Sequence, residues 1–267
     1  MQSPDKPLVS VVIRSMDRPS LKRALDSVAA QDYPSIEVIV VGACGPLHRD
    51  LPQTCGTFPL NLRRSDRPLP RAEAANAGLD AARGDWINLL DDDDVFLPDH
   101  VSSLMSILRG NPGAQLAYAR SLSIERNGQQ SEFGSPFKFW RQLDTGFFHS
   151  QAAMFARSLL DQGARFDPTF IILEDMDFFV QCAQLTRFVH LEKVTSMSYR
   201  DEGTSGTGTS RDEHAVNLAI SQLRSKWSAL EQRLRATPEF RLEQAQWCMA
   251  NGRTAEAKKL LEALHLK

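Results

Sequence analysis

Trp86-Ile87-Asn88-Leu89-Leu90-Asp91-Asp92-Asp93-Asp94-Val95-Phe96-Leu97-Pro98-Asp99 runs from an apolar strand directly into four consecutive carboxylates. Adjacent acids repel, and each raises the cost of ionising the next. A cluster at the end of a buried strand is therefore stable mainly when a cation neutralises it. A divalent metal site is one interpretation. The other is an acidic turn ahead of a helix, because Pro98 suits a first helical position and Asp99 favours the dipole of a helix beginning there. Short charge runs are usually solvated, so the flanking elements have to decide.

Immediately upstream, residues 71–82 read as a helix of small residues, Ala72, Ala74, Ala75, Ala77, Ala81 and Ala82, closed by Arg83 and by Gly84 at the C′ position. At the N-terminus, Leu8-Val9-Ser10-Val11-Val12-Ile13 is a β-branched run that reads as a buried strand ending at Arg14-Ser15. A helix follows, with Ser20 placed to cap it and Leu21, Ala24, Leu25 and Val28 at i, i+3, i+4 and i+7. Ile36-Glu37-Val38-Ile39-Val40-Val41 is a second buried strand, ending at Gly42. This is a βαβ unit, which implies a parallel sheet with ligands beyond the carboxyl ends of its strands. The strand ends at Arg14-Ser15, Gly42 and Asp91 then share one rim, and the acids belong to a binding crevice. Residues 58–62 form a candidate short edge strand in an otherwise proline-rich stretch.

Downstream, residues 98–108 read as a helix and 116–124 as a strand, with Arg126-Asn127-Gly128-Gln129 a two-residue hairpin turn toward a partner strand near Phe133. The aromatic segment 135–150, with Phe137, Phe139, Trp140, Phe147, Phe148 and His149, is either a second small core or an acceptor-binding wall. Residues 151–160 are a strand or short helix. Glu174 and Asp175 open an amphipathic helix through Leu185, where first-turn acids would also simply offset the helix dipole. The Gly-, Thr- and Ser-rich stretch 200–210 suits a mobile loop over a site or a plain linker.

From Arg211 the chain turns helical. Val216, Ile220, Leu223, Trp227 and Leu230 keep helical spacing, and residues 239–250 and 254–264 form a pair joined by Asn251-Gly252 that resembles one tetratricopeptide-like hairpin. One such repeat cannot form a solenoid, so residues 211–267 are expected to be a helical extension used for packing or homo-oligomerisation, appended to a domain over 1–210.

The bulk numbers fit this layout. With 267 residues, 42% hydrophobic, 24% charged and a net charge of -2, the chain has an ordinary globular composition and gives no support for nucleic-acid binding. Cys44, Cys55, Cys182 and Cys248 show neither CxxC nor regular spacing, so no zinc site or disulfide framework is indicated. No stretch approaches the roughly 18 apolar residues that span a bilayer. The expected localisation is cytoplasmic, with peripheral attachment at the inner face of the membrane left open.

Five segments in order resemble the GT-A fold glycosyltransferases of family 2: the opening strand and helix (residues 9–15 and 21–28), Gln31 to Val41, Asn76 to Ile87, the acidic run with Pro98-Asp99, and Glu174-Asp175. The resemblance covers about residues 8–200 and implies a Rossmann-like mixed sheet flanked by helices. It also implies that the acids form the DxD-type motif, with Asp93 the principal ligand of Mg²⁺ or Mn²⁺, Asp91 supporting it and Asp92 near the donor ribose. Asp175 would be the catalytic base and Glu174 its neighbour. Arg14, Ser15 and Asp17 would line the nucleotide pocket, with Arg71 and Asn76 on the diphosphate or metal side. The implied partners are a nucleoside-diphosphate sugar, a UDP-sugar by default, and a glycan, lipid-linked or other hydroxyl acceptor.

The chemistry of the residues is compatible. Carboxylates holding a metal can neutralise charge on a leaving diphosphate, and a positioned carboxylate can take the acceptor proton. Where family members commonly present an acid to the nucleotide base, this chain has Gly42-Ala43-Cys44-Gly45. The Gln-x-x-Arg-Trp signature of processive synthases does not follow Asp175, which points to single transfer. Two rivals remain: a non-catalytic sugar- or nucleotide-binding protein on the same fold, and a nucleotidyltransferase. The latter is disfavoured because residues 14–19 contain no glycine for a phosphate loop.

Overall fold

The computed structural model describes residues 6–142, 146, 148–200 and 213–265. β1 (Val9–Ser15) is buried along its whole length. It pairs in parallel with β2 (Ile36–Gly42) on one side and β5 (Trp86–Asp91) on the other. The crossover from β1 to β2 is α1 (Leu21–Ala29), which buries Leu21, Ala24 and Val28. β4 (Phe58–Arg64) extends the parallel run beyond β2, and β3 (Thr54–Cys55) closes that edge antiparallel to it. From β4 the chain returns through α2 (Arg71–Ala81) to β5.

After β5 come β6 (Val95–Phe96), α3 (His100–Arg109), β7 (Leu116–Ile124), β8 (Gln130–Phe133), α4 (Phe139–Gln142), β9 (Ala153–Ala156), α5 (Ser158–Asp161), α6 (Glu174–Leu185) and β10 (Phe188–Tyr199). The sheet order is β3-β4-β2-β1-β5-β9-β7-β10-β6, with β8 added to β7. β9 runs antiparallel to both β5 and β7, while β7 and β10 are parallel. Helices cover both faces. Val9, Val11 and Ile13 meet Leu21, Val28, Val101 and Leu104 on one side, and Val12, Ile39 and Val41 meet Ala72, Ala75, Leu79 and Phe178 on the other. Burial on two faces is why β1 and β2 read as continuous apolar runs rather than alternating ones.

Several local expectations change. α3 begins at His100 rather than Pro98, whose carbonyl instead accepts from the Asp32 amide at 2.9 Å. The Asp99 carboxylate takes Lys193 and the Ser103 hydroxyl. Ser20 lends no side-chain cap to α1. Gly84 is not a left-handed cap. A Cβ there would stand 2.7 Å from the Ser10 nitrogen, and its amide donates to Ser10 Oγ at 2.8 Å, so close backbone approach is what requires glycine. The β7–β8 loop is wider than two residues. Ile124 pairs with Gln130, and the Gly128 amide donates to the Glu125 carbonyl with φ at +81°, the three-residue loop that ends in a left-handed glycine. Residues 151–160 resolve into a 3₁₀ turn at Ser150–Ala152, then β9 and α5.

The C-terminal helices are α7 (Glu213–Lys226), α8 (Ser228–Arg235), α9 (Pro238–Ala250) and α10 (Thr254–His265). α7 buries Val216, Ala219 and Leu223, and Trp227 behind it packs with Phe170 and Met176. α9 and α10 share an apolar cluster of Ala245, Cys248 and Ala257. The glycine-rich stretch 201–210 and Phe147 lie outside the described residues. Among the described residues no helix is long and apolar enough to cross a membrane.

The alanine-rich composition of α2 has a packing cause. A Cβ on Gly78 would lie 2.2 Å from Val12 Cγ1, so the helix rides directly on β1. Val12 is fully buried and cannot swing aside. Gly78→Ala should cost about 1–3 kcal/mol despite alanine's better helix propensity, read as a lower midpoint in urea unfolding.

Candidate active site

The four acids form a turn. The Asp94 amide donates to the Asp91 carbonyl at 3.1 Å, and β6 directly after it is stitched antiparallel to β10 through Phe96 opposite Ser196 and Val95 opposite Met197. The turn sorts the side chains. Asp91, Asp93 and Asp94 offer carboxylate oxygens within 4.8 Å of one another. Asp92 goes the other way and is buried, accepting from the Met16 amide at 2.7 Å, from Ser15 Oγ at 3.2 Å and from Arg18 at 2.7 Å.

Arginines hold the acids unequally: Arg18 spans Asp92 and Asp93, at 2.7 and 3.2 Å, while Asp91 and Glu174 are gripped more closely. Arg14, at the end of β1, grips Asp91 with Nε at 2.7 Å and Nη2 at 2.8 Å, and reaches Glu174 with Nη1 at 2.7 Å. Arg71, the first residue of α2, donates from Nε to the same Glu174 oxygen at 2.8 Å. Burial works to raise the pKa of Asp91 and Glu174, but Arg14 and Arg71 outweigh it, and both stay below the usual carboxylate range. The others are pushed the opposite way. Burial and then Asp91 bring Asp93 up to about 6 against Arg18. Burial, Asp93 and Asp91 put Asp94 well above its ordinary value, although Ser198 and the Tyr199 backbone hydrogen-bond to it.

Asp175 follows Glu174 in the first turn of α6. Leu173, just before, has φ at +62°, a left-handed conformation that is costly for a branched side chain and turns the chain sharply into the helix. Burial and the Glu174 carboxylate raise Asp175 to about 6. Two residues on, the buried Asp177 is held from α7 and its C-terminal neighbour: Trp227 Nε1 donates at 2.8 Å and Lys226 Nζ at 2.9 Å, with Lys226 also reaching Asp167 at 2.6 Å.

The acid turn and the start of α6 border one cleft of about 480 Å³. Arg14, Arg71, Asp91, Asp92, Asp93 and Asp175 line it. Ser15, Asp17, Glu174 and Asn76 do not, and each has another task. Ser15 is fully buried and supports Asp92 and His48. Asp17, with φ at +60°, holds Arg49. Glu174 is fully buried under the arginines. Asn76 is turned away from the cleft, because its amide exchanges hydrogen bonds with the Phe166 backbone at 2.8 and 3.1 Å.

The structure adds Asp94, Arg18, His149 and Gln151, all on the cleft wall. Asp94 was visible as the fourth acid of the run and His149 as part of the aromatic segment; Arg18 and Gln151 carry no local signal. In the aromatic segment Phe148 stacks on Tyr118 at 4.5 Å inside the core and also borders the cleft.

Three clustered carboxylates, two of them disfavoured as anions, are the donor set a hard divalent cation would satisfy, so Asp91, Asp93 and Asp94 fit a metal.

The model of the family described as glycosyl transferase family 2 matches residues 10–163, more than half of the chain. The chain belongs to this family. Among its relatives are an uncharacterized glycosyltransferase of Methanocaldococcus jannaschii, 25% identical over 67% of this chain and 65% of that protein, and the succinoglycan biosynthesis protein ExoO of Rhizobium meliloti, 29% identical over 64% and 53%. The chain therefore spans less than two thirds of the length of these relatives. Solved structures share its GT-A fold. Residues 1-349 of S. aureus TarS in complex with UDP-GlcNAc superpose with a TM-score of 0.60 at 18% identity, covering 96% of this chain and 83% of that one. The mannosyltransferase PcManGT of Pyrobaculum calidifontis, in complex with GDP-Man and Mn²⁺, gives 0.57 at 16% identity, covering 96% and 85%.

The raised carboxylates give a pH signature. Between the unfolded value of 3.8 and about 6, folded protein retains a proton at Asp93 that the unfolded chain has released, so stability falls as pH rises through that window. A cation competing for the same oxygens relieves this only once they ionise. Mn²⁺ should raise Tm more at pH 7.5 than at pH 5, and Asp93→Ala should remove most of the increment; equal shifts at both pH values would place the ion elsewhere.

Proposed function

We propose that this family 2 chain is an inverting, metal-dependent glycosyltransferase that moves a sugar from a nucleoside-diphosphate sugar to an acceptor hydroxyl. The observation that carries this is the placement of the carboxylate trio and of Asp175, a separate carboxylate with a pKa near 6, on the wall of one cleft.

Asp91, Asp93 and Asp94 would hold Mg²⁺ or Mn²⁺, which when bound neutralises charge on the departing diphosphate. Arg71, about a third exposed at the cleft, adds guanidinium donors suited to phosphate oxygens. Arg14 fixes the Asp91 carboxylate in place. Asp175 takes the proton from the acceptor hydroxyl as it attacks, a role that needs a carboxylate ionised near neutrality and unencumbered by an arginine. Direct attack opposite the leaving group inverts the anomeric centre.

The neighbours' UDP-GlcNAc and GDP-Man support the donor class rather than one base. Ala43 and Leu69 supply apolar wall where an acid would read the base, and a UDP-sugar is the default donor. Ile172, Val216 and Ile220 give another part of the cleft an apolar surface, which suits a lipid-linked acceptor as well as a glycan.

A thermal-shift screen of UDP-, GDP-, dTDP- and CMP-sugars with and without Mn²⁺ should identify one donor that raises Tm in a metal-dependent manner. With that donor, Asp175→Asn should lower kcat about 10²–10⁴-fold while leaving donor binding intact. Because the reactive form is the anion, wild-type activity should fall as pH drops below about 6. Binding without turnover in wild type, across acceptors, would instead mark a non-catalytic sugar-binding protein.

A further inference from the structure

β9 enters the sheet antiparallel to β5, with Asn88 opposite Met154 and Trp86 opposite Ala156. Continuing that register toward the rim brings Gln151 level with Asp91. Neighbouring strands lie about 5 Å apart, so the turn ahead of β9 flanks the acid trio. That turn is fixed from behind. Asn88 Nδ2 donates to the Gln151 carbonyl at 3.1 Å and to the Ala153 carbonyl at 2.9 Å, and Asn88 Oδ1 is itself held by His100 at 3.0 Å.

The side chain is left over. Gln151 is 3% exposed and borders the cleft, and its Nε2 is buried with no hydrogen-bond partner. An unpaired buried amide is costly to leave without a partner, a penalty that a ligand hydroxyl would remove. Two residues earlier, His149 also borders the cleft. Its Nδ1 is engaged with Ser121 Oγ at 2.7 Å, and burial keeps the ring neutral, which leaves Nε2 as the nitrogen for a ligand. Phe133 packs on the His149 ring at 4.6 Å and supplies an aromatic wall.

We propose that Gln151, with His149 beside it, binds the ring hydroxyls of the transferred pyranose and so selects which sugar this chain accepts. The proposal rests on the nucleoside-diphosphate-sugar function above. A pyranose bonded to a diphosphate seated at Asp91, Asp93 and Asp94 has to lie beside that seat. An amide and a neutral imidazole each combine donor and acceptor capacity, which matches the donor and acceptor capacity of ring hydroxyls.

The test uses the full chain, the donor identified by the screen, its C4 epimer and the matching nucleoside diphosphate, each titrated calorimetrically with Mn²⁺. Gln151→Ala should weaken sugar-nucleotide binding about three- to tenfold, the range of one neutral hydrogen bond. It should narrow the preference between epimers and leave the Kd of the nucleoside diphosphate unchanged. Gln151→Met, which keeps the volume without the amide, should reproduce the result if the alanine variant does not fold. Equal losses for the sugar nucleotide and the nucleoside diphosphate, or no loss for either, would overturn the proposal while leaving the transferase function standing. Failure of wild type to bind any sugar nucleotide would overturn both.

Discussion

The buried guanidinium of Arg14 is the point on which the rest of the site depends. It joins β1, β5 and α6 by taking both oxygens of Asp91 and one of Glu174, itself almost without solvent. Removing one member of such a group leaves charges stranded in the interior, at a cost of about 3–5 kcal/mol. The pairing also sets how readily each acid holds its charge. Asp91 and Glu174 are held as anions by arginine, while Asp93, Asp94 and Asp175 are left with raised pKa values on the cleft wall. Neighbouring carboxylates whose environments drive their pKa values apart are the usual mark of divided roles.

Around that centre the acid turn is braced in several directions. Asp92 ties it to the loop after β1 through Ser15, Met16 and Arg18. The Asp94 backbone closes the turn, and β6 anchors its exit to β10. Beneath it, His100 stacks on Phe96 at 4.1 Å and bridges Asn88 and Thr195 with its two ring nitrogens. Burial lowers that histidine to about 3, so the brace is neutral at working pH and adds no charge beneath an already crowded cluster.

What the sequence disclosed was whatever neighbouring residues determine together. The parallel strands, the small-residue helix and α6 from Glu174 to Leu185 follow from apolar periodicity and end signals, because burial of one face constrains residues two to four apart. The acid run and the pair at Glu174-Asp175 were legible for the same reason. Contacts across many residues were not. Nothing near Arg18 announces that it meets Asp92, nothing near Trp227 announces Asp177, and Asn76 looks as free in sequence as any helical asparagine until Phe166 folds back over it. Gly84 illustrates a subtler limit: glycine after a helix signals a left-handed cap or a close approach equally well, and only the position of Ser10 separates them.

The reversed strand β9 has a consequence for how such a protein can change. In a purely parallel sheet, the rim beyond the strand ends collects only the residues where strands leave. One antiparallel strand adds a place where the chain arrives, so the approach through Ser150–Ala152 faces the departure at Asp91 across a single strand spacing. The two segments are separate in sequence and answer to different constraints. The departure loop is locked by Arg14 and Arg18, by the Asp94–Asp91 backbone hydrogen bond and by the pairing of β6 with β10. The approach is the short turn at Ser150–Ala152, downstream of α4. Substitutions or insertions before that turn alter one wall of the cleft while leaving the acid-rich wall in register, so the two walls can change independently.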